Sequence, residues 1–129
     1  MMFGKTILAI SALVFIGYGL VSLISPAIPA GYAGLIIDSG DGYAEITAMY
    51  GGLQTGLGLF CAMALLKPDY YRPALMVLVF VLGPLALARS FSLLAIPESM
   101  SGTVTTYTIG AMAFEYAVVF LAIVALYKK

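Results

Sequence analysis

Apolar residues run along this chain in four long stretches, at about residues 6–25, 45–66, 74–96 and 104–127, with three polar breaks between them. Each stretch has roughly the 20 residues that a helix needs to cross a hydrocarbon core. None alternates in the way a half-buried strand does. Every break carries proline: Pro26 and Pro29 in the first, the run KPDYYRP at 67–73 in the second, and Pro97 in the third. Proline cannot continue a helix interior, so these positions mark ends and restarts. The expected fold is therefore all-α, an integral membrane four-helix bundle, with residues 1–129 forming a single transmembrane domain.

Composition removes the soluble alternative. The chain is 63% hydrophobic and 9% charged, against about 25% charged in an ordinary soluble domain. A chain of this size has too large a surface-to-volume ratio to hide so much apolar area from water. Net charge is zero and no basic patch exists, which excludes nucleic acid as a partner. Histidine is absent, and with it the commonest general base and metal ligand. The carboxylates are scattered over different helices, so no metal set and no cofactor is expected. The single cysteine, Cys61, sits in an apolar run and is expected to be a buried, inert thiol.

The charges also orient the bundle. Four crossings place Lys5, Lys67, Arg72, Lys128 and Lys129 on one side, while Asp38, Asp41 and Glu98, with Glu45 at the edge, fall on the other. Basic residues favour the cytoplasmic side, so both termini are expected there. Tyr43, Tyr70, Tyr71, Tyr107 and Tyr127 lie near the interfaces this arrangement implies. The first stretch could instead be a secretory signal cut near Ala30 or Ala33, but its apolar run is long for one, and cutting would leave three spans.

Within the second span, the segment YGGLQTGLG at 50–58 is unusual. A phosphate loop would need a preceding strand and a following Lys-Ser/Thr, and neither is present. On a helix advancing about 100° per residue, Gln54, Gly58, Gly51, Thr55, Ala48, Gly52, Glu45 and Gly56 share one broad arc. Bulky Met49, Tyr50, Leu53, Leu57 and Phe60 lie opposite. Small residues let helix backbones approach in lipid, so Gly51, Gly52, Gly56 and Gly58 read as a packing face, with Gly52 and Gly56 forming a GxxxG pair.

Packing does not account for the polar residues. Arg89 in the third span and Glu115 in the fourth each cost about 2.5–3.5 kcal/mol near a helix centre on insertion scales, and such residues face inward and pair. Counted from the outer ends at about 1.5 Å per residue, Gln54 is about 13 Å deep, Arg89 about 12 Å and Glu115 about 16 Å. The expected cluster is Arg89, Glu115 and Gln54, with Glu45 and Tyr50 above it. It serves either to fix helix neighbours or to hold an anionic or lipophilic ligand. Gly83 and Pro84, below Arg89, free the carbonyl of Phe80 and are expected to kink the third span. The long first connection, 26–44, is expected to form either a lid over the cluster or a partial helix on the membrane surface, the second being preferred.

These residues resemble a bacterial four-helix family known only as domain of unknown function 4345. The likeness rests on E-x-x-x-M-Y-G-G-L-Q-x-G-L-G from Glu45 to Gly58, L-A-x-x-R-x-x-S-L-L around Arg89 and Ser92, and the glutamate of the last span. Ala88 stands where the pattern has glycine, and Ile-Pro-Glu-Ser replaces an Asp-Gly after the third span. The resemblance implies a site in the second and third helices and no known reaction. In plan alone the chain is similar to small DoxX-like membrane proteins, an analogy of architecture.

The expected function is that of a small non-enzymatic accessory or scaffold subunit of a membrane complex in the bacterial inner membrane, holding a lipid or lipophilic ligand at the polar cluster. Membrane lipid and either a protein partner or a second copy of the chain are the expected partners. The alternative is a small transporter of a lipophilic or anionic substrate that uses Arg89 and Glu115.

Overall fold

The computed structural model describes residues 1–128; Lys129, one of the basic residues used above for orientation, lies outside them. Helix α1 spans Met2–Ile24, and α2 is a short helix, Ala27–Ala33. Helix α3 spans Gly40–Leu66, and it is π-helical over Thr47–Gly52 between two α-helical parts. A 3₁₀ turn, Pro68–Tyr70, leads into α4, Tyr71–Ala95. The short α5 (Glu98–Ser101) precedes α6 (Thr106–Tyr127). Among the described residues there is no strand, and α1, α3, α4 and α6 are long and apolar enough to cross a membrane.

The boundaries follow local chemistry. The second span begins five residues earlier than the apolar pattern suggests, because Ser39 caps it: the Ser39 hydroxyl accepts from the Gly42 N–H at 3.0 Å, and Asp41 sits in the positive first turn. Part of the first connection is the short helix α2, packed on the bundle. Pro29 and Ala30 of α2 are buried, whereas Leu35 and Ile36 just beyond it are exposed. Gly34 ends α2 in the left-handed region, φ 70°, with the Leu35 N–H donating to the Ala30 carbonyl at 2.8 Å. Gly34→Ala is therefore expected to destabilise the fold by about 1–2 kcal/mol, since a Cβ is strained in that conformation; thermal melting in detergent micelles would measure it. At the opposite end of the bundle the Arg72 guanidinium donates to the Leu126 carbonyl at 3.0 Å, closing the C-terminus of α6.

The helices pack as two tight pairs. Helix α1 lies along α3, α4 lies along α6, and α1 also meets α6. Helices α3 and α4, although joined by a short turn, touch sparsely. Three glycines permit the first pairing. An added Cβ would meet the Ile16 backbone N at 2.7 Å from Gly58, the Leu23 Cγ at 2.8 Å from Gly51, and the Thr55 backbone N at 2.6 Å from Gly19. Gly52 and Gly56 have nothing within 4 Å of such a Cβ and are exposed. The packing face is thus Gly51-Thr55-Gly58, spaced i, i+4, i+7, and the GxxxG pair points away from it. Gly19, on the facing helix, completes the contact.

The core is concentrated toward the end that carries the termini. Leu8, Ala12, Cys61, Ala64, Leu75, Leu78, Ala122 and Ala125 are buried there, and Phe15 and Leu82 are its last members toward the other end. Cys61 is buried, as its apolar setting indicates. Beyond Phe15 and Leu82 the α1–α3 seam stays closed through Gly19 and Gly51, while the space around Arg89 opens.

Candidate functional site: a paired arginine between two apolar cavities

The opening is organised by Arg89 on α4 and Glu115 on α6. The Arg89 Nε donates to both carboxylate oxygens of Glu115, at 2.9 Å and 3.1 Å. Their side chains are 26% and 6% exposed respectively. Both oxygens of Glu115 therefore accept from a single nitrogen of its partner. Among the described residues, neither Nη of Arg89 has a hydrogen-bond partner, so one edge of the guanidinium fork is left free.

Arg89 stands at the junction of two cavities. The first, about 350 Å³, lies between α1, α4 and α6 and is lined by Phe15, Tyr18, Tyr107, Gly110 and Phe114 among others. The second, about 320 Å³, lies in the cleft between α3 and α4 and is lined by Met49, Tyr50, Leu53, Leu57 and Val81 among others. Arg89, Gln54, Phe15, Leu82 and Leu85 border both. Phe15 is fixed by an edge-to-face contact with Phe114, the centroids 6.0 Å apart. The sparse contact between α3 and α4 is what leaves the second cavity open.

The expected cluster is met in part. Arg89 and Glu115 are joined, and Gln54 borders both cavities at their level without making a side-chain hydrogen bond. Tyr50 lines the second cavity. Glu45 does not belong: it is exposed and lines neither cavity. Glu45 lies near the start of α3, and a constant step of about 100° already sets it about 180° from Gln54, at the far end of the broad arc. Farther along, the Leu53 N–H donates to the Ala48 carbonyl, five residues back. The wall facing the cavities is Tyr50, Leu53, Gln54 and Leu57, while Gly51, Thr55 and Gly58 turn to α1. Gly83 and Pro84 lie within a helix that runs unbroken through Tyr71–Ala95, with Pro84 on its exposed side.

Two residues of the site were not anticipated. Tyr18 on α1 and Tyr107 on α6 bring their hydroxyls to 3.4 Å at the mouth of the first cavity, and Tyr32 of α2 stacks on Tyr107 with centroids 6.2 Å apart. Tyr107 reads as an interface residue in sequence, and Tyr18 sits unmarked in an apolar run. A signal did exist, because a tyrosine inside a span needs a partner for its hydroxyl.

Fold and site together define a small polytopic membrane protein with a buried arginine–glutamate pair at the junction of two apolar cavities. The chain belongs to the family described as Domain of unknown function (DUF4345), whose sequence profile matches residues 3–126. No curated protein and no solved structure matches it.

Proposed function

We propose that the protein is a non-enzymatic accessory subunit of a complex in the bacterial cytoplasmic membrane, both termini facing the cytoplasm, and that it holds a lipophilic molecule by an anionic group at Arg89. The observation that carries this reading is the place of Arg89, whose Nη atoms have no hydrogen-bond partner among the described residues, at the border of two apolar cavities. Charged donors at membrane depth are costly when left without acceptors, and an apolar cavity beside one suits a ligand with an acceptor head and a hydrocarbon body. Binding is favoured over chemistry because Glu115, the carboxylate that lines the first cavity, is paired with Arg89 through both oxygens. A partner role is supported by the large apolar side chains on outer helix faces, among them Leu13, Phe80, Leu87, Phe91 and Phe120. The orientation rests on the basic residues at the termini and in 67–73.

Extraction in a mild detergent followed by native mass spectrometry tests both halves. The expected result is a lipid adduct on the chain together with a reproducible protein partner. A delipidated chain with full stability and no adduct would contradict the ligand reading, and a purely solitary chain would contradict the subunit reading.

A further inference from the structure

We infer that the ligand is a two-chain anionic glycerophospholipid, its phosphate on the Nη edge of Arg89 and one acyl chain in each cavity; this rests on the ligand-binding reading above. Three observations point to it. The first is the number and symmetry of the apolar spaces. Two cavities of similar size, about 350 Å³ and 320 Å³, flank one cation and share it. A single-chain molecule bound at Arg89 would fill one and leave the other to unrelated lipid. The second is the chemistry of the junction. Arg89 presents only donors there, since Nε is the atom engaged by Glu115. Two parallel N–H groups fit a pair of oxygens on one centre, which a phosphate or a carboxylate offers and a lone carbonyl does not; the two cavities are what select a two-chain phosphate ester over a single-chain carboxylate. The third is the placing of hydroxyls. Tyr18 and Tyr107 border the first cavity and Tyr50 the second, so each side has a neutral donor available to the head group or its ester oxygens.

The test uses the full chain in detergent micelles titrated with dioleoyl phosphatidic acid, oleate or dioleoylglycerol, read by native mass spectrometry. Two substitutions fill the cavities separately without touching the ion pair. Gly110→Phe fills the first, where an added Cβ at Gly110 meets nothing within 4 Å. Leu57→Trp fills the second, with Val81→Trp as an independent variant of the same cavity. Phosphatidic acid is expected to bind at least tenfold more tightly than oleate or dioleoylglycerol, and each filling is expected to weaken it about tenfold or more. If phosphatidic acid binding stays within twofold when either cavity is filled (in Gly110→Phe, or in both Leu57→Trp and Val81→Trp), or if oleate binds as well as phosphatidic acid, the two-chain assignment is overturned while a head-group site at Arg89 stands. If phosphatidic acid binds undiminished when Arg89 and Glu115 are both replaced by leucine, the underlying ligand reading falls as well.

Discussion

Arg89→Leu should destabilise the bundle by about 3–5 kcal/mol, the usual cost of removing one partner from a buried ion pair. The loss strands Glu115, which is nearly enclosed and has no other partner, because Arg89 alone donates to its oxygens. Glu115→Leu should cost less. Its stranded partner is partly exposed and carries a long apolar stem, so the guanidinium can turn into the adjoining cavities or reach toward the nearer surface. The double variant, Arg89→Leu with Glu115→Leu, should recover to within about 1 kcal/mol of the parent, since two well-packed apolar residues replace an ion pair at little net cost. Unfolding in mixed micelles, run as a double-mutant cycle, measures all three. Costs that simply add would show that the pair is not coupled. Recovered stability in the double variant also supplies a folded protein without a cation between the cavities, which a binding experiment requires.

The second large effect concerns the α1–α3 contact. Gly58→Leu places a side chain where even a Cβ would lie 2.7 Å from the Ile16 backbone N. A main-chain atom cannot swing aside as a flexible side chain can, so α1 and α3 must separate. Overpacking of a well-fitted interface costs about 1–3 kcal/mol, and this substitution is expected at or above the upper end because backbone is involved. Gly19→Leu should do the same from the other helix, meeting the Thr55 backbone N. Gly56→Leu, two residues from Gly58, should be tolerated or slightly stabilising, since it faces open space and replaces glycine within a helix. Melting of the three variants in one detergent separates the faces. Equal damage from Gly56→Leu and Gly58→Leu would contradict the packing described here.

The contrast between Gly56 and Gly58 shows what the sequence could and could not reveal. Four spans are legible because hydropathy and length are properties of each segment alone. The Arg89–Glu115 pair is legible for a related reason: each charge is so costly in lipid that a partner at matching depth is nearly forced. Gln54, set near the level of Arg89 by the same count, borders both cavities with it. Angular position is a finer quantity, and an arc of about 200° is too broad to be a single face: it holds Gly58 near one end and Gly56 and Glu45 near the other. Gly56 and Gly58 stand two residues apart in the regular α-helical part of α3, so they face about 160° apart, and only Gly58 can belong to the face that meets α1. Which helices pair tightly is also hidden. That α3 leans on α1 and barely meets α4 depends on Gly19 facing Thr55 across the bundle, a relation between distant residues that no local pattern encodes. The second cavity follows from that choice of partner, so it too was out of reach.

The central claim is that the free edge of Arg89 holds an anionic lipid head group in the bundle. The most direct measurement compares bound lipid, by native mass spectrometry after identical mild extraction, on the parent chain and on the Arg89→Leu, Glu115→Leu double variant shown by melting to be folded. The account predicts a phospholipid adduct that survives on the parent and is lost from the double variant. An adduct retained equally on both proteins, or absent from both, would contradict it.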